Sequence, residues 1–185
     1  MPDGAALPPL IDDLSSRAVS AVDELASILE DAFAARGIEA TGESQSMLGN
    51  LATVPEQLWT LVPLGGERSI ASIVSHVGAC LVMYDDHAFG PGHRRWDDPD
   101  LFPWGPGDAP MSEAIDWMSD AHRAFVDHVR ALEDADLGAE RLANWGEMVP
   151  TGWLISAMAT HSSYHAGEIN HIRSLLQRDD RWMWG

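Results

Sequence analysis

The sequence contains no lysine, since all 11 of its basic residues are arginines. A Schiff-base enzyme, a P-loop with its phosphate-binding lysine and a lysine general base are therefore excluded. The single cysteine, Cys80, excludes an internal disulfide and a CxxC redox motif. Because 29 acidic residues face only 11 basic ones, the net charge is −18. Such a surface repels phosphate backbones and anionic lipids, so we expect neither nucleic-acid nor membrane-surface binding.

Long hydrophobic runs are also missing, and no apolar stretch is long enough to span a bilayer. The first residues, Met1-Pro2-Asp3-Gly4, lack the charged and apolar regions of a signal peptide. We therefore expect a soluble, cytoplasmic protein. A length of 185 residues with 45% hydrophobic residues is enough for a real core. Residues 1–185 are predicted to form a single domain, with the Pro- and Ala-rich residues 1–9 as a flexible arm.

What the sequence does contain is helical periodicity. Apolar residues recur at helical spacing in four long segments, residues 11–36, 69–89, 110–132 and 151–177. Ser69 is the expected N-cap of the second long helix, and Gly37 is the expected stop of the first. A short extra helical segment at residues 44–62 is interrupted at Pro55. With no strand signals visible, the pattern predicts an all-α, up-and-down-type four-helix bundle.

A long loop precedes the third long helix. Residues 90–110 hold five of the 11 prolines and show no periodicity, and a loop of this length is usually functional or disordered. Its Arg94, Arg95, Trp96 and Trp104 favour a loop that covers a site, although a surface crossover with buried tryptophans fits as well. Residues 134–150 are predicted to form another loop.

The terminal helix carries the motif His161-Ser-Ser-Tyr-His165. Residues four apart lie about 40° apart on a helix and one turn along the same face, so these two imidazoles can bind one metal ion. A catalytic zinc-type site needs three protein ligands and an open position. The pair therefore requires a third ligand from elsewhere in the chain.

His76 is the candidate third ligand. It lies in the second long helix on the stripe of Ile73, Cys80 and Met83, which is the expected core face. A lone inward histidine is usually a hydrogen-bonded core residue, but bundles build metal sites from side chains on facing helices. Four of the remaining histidines are interpreted as solvated surface residues: His87, His93, His122 and His128. The last one, His171, is expected to flank the site.

Three residues near the candidate ligands admit two interpretations each. Glu168 either orients a histidine N–H or moves a proton, or it pairs with Arg68 or Arg173. Tyr164 either stabilises a developing anion or is a core or rim residue. Cys80 is more readily a small buried hydrophobe than a ligand or nucleophile. The mid-helix Gly167 indicates close helix–helix approach.

Other catalytic motifs fail to match, because the histidine pair lacks the glutamate of the zincin pattern and no nucleophile elbow or dinucleotide fingerprint occurs. By contrast, the chain resembles the DinB-like superfamily in two places. One is His76 in the second long helix, preceded by Arg68-Ser69-Ile70, and the other is the motif His161-x-x-x-His165-x-Gly167-Glu168-Ile169 in the terminal helix. The resemblance covers residues 45–177, and the tail 179–182 is similar to the ends of actinobacterial members. It implies a four-helix bundle with a three-histidine metal site whose ligands fall on His76, His161 and His165. Many members have glutamine in place of Glu168.

The resemblance also implies a function. Similar proteins use the metal, for which we expect zinc first and nickel next, to activate low-molecular-weight thiols such as mycothiol or bacillithiol, with mycothiol as the expected thiol here. The thiol is transferred to a small electrophile or promotes its isomerisation. In this hypothesis Arg94 and Arg95 bind anionic groups of the thiol or substrate, and Glu168 or Tyr164 moves protons. A metal–water hydrolase with Glu168 as base, and a non-catalytic metal-binding stress-response protein, are the alternatives. The resemblance further suggests a homodimer.

Overall fold

The computed structural model describes residues 19–34, 46–102, 104 and 109–178. Its helices are α1 (Ala21–Ala34), α2 (Met47–Leu51), α3 (Ile70–Phe89), α4 (Met111–Arg130) and α5 (Thr151–Gln177), and its strands are β1 (Glu140–Leu142) and β2 (Met148–Pro150). Two short 3-10 turns lie at Glu56–Leu58 and Asp134–Gly138. The described residues therefore confirm an all-α fold with four long helices and one short one.

The helix boundaries follow local signals. Ser69 caps α3, because its hydroxyl accepts the Ser72 N–H at 3.2 Å while the Ser72 hydroxyl accepts the Ser69 N–H at 3.1 Å. The predicted interruption at Pro55 is confirmed, since α2 ends at Leu51 and a 3-10 turn follows the proline. The predicted arm at residues 1–9, the start of the first helix at residue 11, its stop at Gly37 and the tail at 179–182 lie outside the described residues.

Helices α1 and α4 run antiparallel to each other. Near the end of α1, the Phe33 ring stacks on the ring of His122 in the middle of α4, with 3.9 Å between the ring centroids. Near the start of α1, the Val22 N–H donates to Asp134, which follows the end of α4. The two helices thus pair in opposite directions.

Helices α3 and α4, in contrast, run parallel. Gly78 lies against Trp117 in the first half of α4, and Phe89 at the end of α3 packs on Phe125 further along it. The up-and-down order expected for the bundle is therefore wrong. A parallel pair requires the intervening chain to return along a bundle whose 20-residue helices are about 30 Å long, which explains the long loop at residues 90–110.

The strands form a hairpin between α4 and α5. They pair antiparallel, with Arg141 opposite Val149, and the turn contains Gly146 at φ +92°, a conformation that favours glycine. The Arg141 guanidinium donates to the Ala88 carbonyl at 3.0 Å and to Thr151 at 3.1 Å, which fixes the hairpin against α3 and α5. The interpretation of residues 134–150 as a loop without strands is wrong here, because three-residue strands are too short to show an alternation.

Helix α3 packs tightly against a side chain of α4 at Gly78. A Cβ atom built there would lie 2.2 Å from the Trp117 ring, so only glycine fits against this indole. At Gly167, a Cβ atom would meet nothing within 4 Å. The close approach expected at Gly167 is therefore wrong, and it occurs at Gly78 instead.

Candidate metal centre

Three histidines from two helices meet at one point. His76 of α3 and both His161 and His165 of α5 each offer a ring nitrogen, and these nitrogens all lie within 4.8 Å of one another. His165 is 3% exposed, while His76 and His161 are half-buried. Within the described part of the chain, these three histidines are the side chains, among all His, Cys, Asp and Glu, that lie close enough together to hold a metal ion.

The separations within the group fit metal ligation. The Nε2 atoms of His161 and His165 are 3.2 Å apart, and two nitrogens on one tetrahedral zinc ion would be about 3.4 Å apart. Without a cation, two neutral rings at this distance can share only one proton. The buried Nδ1 atom of His161 has no hydrogen-bond partner among the described residues. The cluster thus holds more lone pairs than protein donors satisfy, as expected for residues that bind a cation.

Glu168 fixes the tautomer of His165. The Nδ1–H of His165 donates to Glu168 Oε2 at 2.8 Å, so its Nε2 lone pair faces the cluster. The same carboxylate oxygen lies 3.7 Å from the Arg68 guanidinium. The structure therefore brings together both interactions considered for Glu168, the histidine and an arginine. Arg173 instead donates to Thr53 and Asn170.

Burial keeps the three imidazoles neutral. It lowers the pKa of His161 to about 4, with smaller contributions from the charges of the other two rings. Burial is also the main cause of the lowered pKa of His76 and of His165, and at His165 the Glu168 carboxylate opposes it. Because metal ligation needs a deprotonated ring nitrogen, histidines with lowered pKa values are prepared for it at neutral pH.

Cys80 lies one turn from His76, with its Sγ atom 3.6 Å from His76 Nε2. Its side chain is 4% exposed, and burial raises the pKa of the thiol to about 12. A protonated, buried thiol is a poor nucleophile. Cys80 is therefore the small buried residue that the sequence favours.

The loop at residues 90–102 reaches the site. The Trp96 ring lies nearly parallel to that of His76, at 11° and 6.3 Å between centroids. The start of the loop is fixed to α3, because the Arg94 N–H donates to Asp86 at 2.9 Å and the His87 Nε2–H donates to the Arg94 carbonyl at 2.9 Å. Because Trp96 is 45% exposed rather than buried and lies against His76, the contact favours the interpretation of a covering loop over that of a crossover with buried tryptophans.

The two predicted anion-binding arginines line a cleft of about 680 Å³ that also contains Trp96. The Arg94 guanidinium is paired with Asp100 at 3.0 Å, whereas the exposed side chain of Arg95 has no ion pair with any described residue. Tyr164 is 68% exposed and contacts the edge of the His165 ring at 5.0 Å between centroids. Tyr164 is thus a rim residue with an accessible hydroxyl, and its predicted proton transfer remains a prediction.

Two histidines interpreted as solvated are not. His122 is 7% exposed, and its Nε2–H donates to the Leu29 carbonyl at 3.3 Å. His87 is half-buried in the loop contact with Arg94. His93 and His128 are exposed as expected, with His128 paired to Asp85 at 2.7 Å. His171 is exposed and lines a cleft with Glu168, so it flanks the site.

Three aromatic residues near His161 were not singled out by the sequence. Tyr84 and Trp153 line a cleft with His161, and Trp145 packs against both rings. Tyr84 lies eight residues after His76 in α3, and Trp153 lies eight before His161 in α5. This matched spacing on the two ligand-bearing helices is the signal that could have identified them.

We expect Glu168→Ala to weaken metal affinity by about 10–100-fold, because the His165 Nδ1–H loses the acceptor that orients the ring. Glu168→Gln should retain most of the affinity, since its amide oxygen can still accept that bond. Competition with a chelator measures both. The matched control is Glu67→Ala, which removes a carboxylate from an exposed residue of the same cleft. An equal loss with Glu67→Ala would show that net charge, rather than the hydrogen bond, is responsible.

No helix in the described ranges is both long and apolar enough to cross a lipid bilayer. Comparison with the curated proteins found no match. Comparison with protein-family models matched residues 39–169 to the model of the DinB superfamily. The match includes all three clustered histidines and spans most of the chain. This protein therefore belongs to the DinB superfamily.

Proposed function

We propose that this protein is a metal-dependent enzyme in which His76, His161 and His165 hold a divalent ion. The ion, for which we favour zinc and then nickel, activates a low-molecular-weight thiol, mycothiol or a close analogue. The thiol is then transferred to a small electrophile or promotes its isomerisation. The observation that carries the proposal is the convergence of three neutral imidazoles beside two clefts.

The set of ligands supports an open site. Neither Cys80 nor Glu168 joins the three-histidine group, and Glu168 is bonded to the far side of His165. A structural zinc site has four protein ligands, whereas a catalytic one has three. The described residues therefore favour an enzyme over the alternative of a closed, non-catalytic metal store.

The chemistry follows from the charge. An ion bound by three neutral imidazoles would keep its full positive charge and would lower the pKa of a thiol or water bound to it. Arg95 lines the neighbouring cleft and forms no ion pair with the residues that the structure describes, and we assign its guanidinium to the polar or anionic groups of the thiol. The exposed Tyr164 hydroxyl is assigned to the proton that the electrophile gains.

The contacts of Glu168 bear on the choice between thiol and water. A hydrolase would require a free general base, and Glu168 is the candidate for that role. Its Oε2 atom, however, accepts from His165 at 2.8 Å and lies 3.7 Å from Arg68. A carboxylate held by these two groups is suited to orienting His165, so thiol activation is the better-supported proposal.

Titration of mycothiol into the zinc-loaded protein should give saturable binding with one thiol per chain. Arg95→Ala should weaken this binding about tenfold, the usual scale for loss of a charge-assisted hydrogen bond. Calorimetry measures the affinity, and loss of free thiol in the presence of a panel of small electrophiles measures turnover. Arg123→Ala is the matched control, since Arg123 is an exposed arginine of α4 paired with Asp120 outside both clefts. Zinc-loaded protein that neither binds nor consumes any thiol of this class would overturn the proposal.

A further inference from the structure

We propose that the cleft formed by Tyr84, Trp153, Ala157 and Tyr164 beside His161 binds an uncharged aromatic group, and that the electrophile of this enzyme is therefore a neutral aromatic compound. The inference rests on the proposed function, since it names the class of molecule that reacts at the same centre. We refer to this site as the aromatic cleft.

The aromatic cleft has the size and position of a small-molecule site. Its volume is about 530 Å³, within the range of about 300–1,000 Å³ typical of ligand pockets. The eight-residue spacings from His76 to Tyr84 and from Trp153 to His161 each correspond to about 12 Å of helix axis. The cleft thus runs from His161 to Trp153, and a ligand lying in it places one end beside His161.

The walls of the aromatic cleft are held in place. The Trp145 ring packs edge-on against Tyr84 at 5.9 Å and 69°, and against Trp153 at 6.0 Å and 80°. The Trp145 indole N–H donates to Glu147 at 2.8 Å, which fixes the ring that supports the other two. Edge-to-face pairs of this kind stabilise a fixed arrangement of rings. A planar ligand therefore meets a preformed aromatic surface.

The aromatic cleft is also uncharged. Among the described residues, no Asp, Glu or Arg side chain lines it, and its one titratable nitrogen group is the proposed metal ligand His161. Its two aliphatic hydroxyls are engaged by the helix, because Ser156 donates to the Gly152 carbonyl and Thr160 donates to the Ser156 carbonyl, both at 2.9 Å. Away from the ion that His161 would hold at one end, the described lining contains no cation and the net charge is −18. Along the rest of its length, therefore, the cleft offers nothing to compensate a carboxylate or phosphate on the ligand.

The neighbouring cleft has the opposite character. It contains Arg94 and Arg95 and shares the region of Trp145 with the aromatic cleft. Trp96 lines that cleft and packs against the His76 ring, whereas the lining of the aromatic cleft includes His161. The aromatic cleft thus opens at His161, and the neighbouring cleft comes near His76 through the Trp96 ring. We assign the polar thiol to the cleft that contains the arginines and the apolar electrophile to the aromatic cleft.

Binding of 2-naphthol and of naphthalene-2-carboxylate, two probes of similar shape and different charge, tests the inference. Calorimetry is done on metal-free and zinc-loaded protein in the absence of thiol. We expect 2-naphthol to bind the metal-free protein at least tenfold more tightly than the carboxylate. Trp153→Ala should weaken 2-naphthol binding at least tenfold, and Ala157→Phe, which fills the cleft, should abolish it. Trp96→Ala is the matched control, because Trp96 is 45% and Trp153 51% exposed but Trp96 lies in the other cleft.

Equal or tighter binding of the carboxylate to metal-free protein would overturn the inference, as would affinity for 2-naphthol that survives both Trp153→Ala and Ala157→Phe. The proposed function is assessed separately by thiol consumption. Naphthol binding in the cleft without any thiol turnover would support the cleft assignment and reject the thiol enzyme. Thiol turnover with aliphatic electrophiles, in a protein that binds no aromatic probe, would support the enzyme and reject the aromatic substrate.

Discussion

Simultaneous replacement of His76, His161 and His165 by alanine is expected to reduce bound divalent metal from about one ion per chain to background. The three ring nitrogens lie within 4.8 Å of one another, and no other described side chain joins the group. The variant therefore keeps no set of ligands that could hold the ion at this position. Elemental analysis of protein purified without a metal-affinity tag gives the stoichiometry.

The fold of this variant should survive, because His76 and His161 are only half-buried and His165, at 3% exposed, is the one fully buried side chain among the three. The replaced imidazoles include His161, whose pKa is lowered by burial and whose buried Nδ1 atom has no hydrogen-bond partner among the described residues. Their replacement therefore also removes an unsatisfied buried polar atom, which is costly to keep in a folded protein. The matched control is the double variant His93→Ala, His128→Ala, which changes two exposed histidines outside the cluster. Unchanged metal content in the triple variant, or equal loss in the control, would rule out this site.

The second large effect is expected at Gly78, where alanine should destabilise the protein by roughly 1–3 kcal/mol, as overpacking typically does. The new Cβ atom would lie 2.2 Å from the Trp117 ring. The edge of Trp104 also contacts that ring, with 5.9 Å between centroids, so a shift of the Trp117 ring would disturb this second contact. Urea denaturation, with the midpoint and slope both fitted, measures the change in the free energy of unfolding.

Gly167→Ala provides the matched control and should stabilise the protein by about 1 kcal/mol. Both glycines are inside helices, but a Cβ atom at Gly167 meets nothing within 4 Å, so only the helix propensity of alanine acts there. A second test combines Gly78→Ala with Trp117→Leu, which should remove most of the penalty measured for Gly78→Ala alone. If Gly78→Ala is as stable as the wild type, the close packing of α3 on α4 is wrong.

Much of the fold could be predicted from local signals. Ser69 identifies the start of α3, because a serine side chain satisfies the free N–H groups of a helix end. The histidines at 161 and 165 must share a face once the segment is helical, whatever surrounds it. The inward stripe of α3 likewise places His76 in the bundle. These predictions depend only on residues within one or two turns of each other.

Other features were decided between elements that are distant in sequence. His122 lies on the buried face of α4, but the ring that it stacks on there, Phe33, is 89 positions earlier in the chain. Trp96 lies beside His76 because the loop is fixed to Asp86 and His87. The aromatic cleft joins side chains of α3, α5 and the hairpin. Periodicity shows which face of a helix is apolar, but not which neighbour covers that face.

The sequence by itself determined the helices, the caps and the two histidines that any helix must bring together, since each depends on contacts within a few residues. It also determined the chemistry that is absent, because a chain without lysine has no lysine to offer in any fold. Only the tertiary structure decided that α3 and α4 run parallel, that Gly78 rather than Gly167 is the point of close approach, and that a third imidazole meets the other two. Local geometry is alike at both glycines, and only the packing of a distant tryptophan distinguishes them.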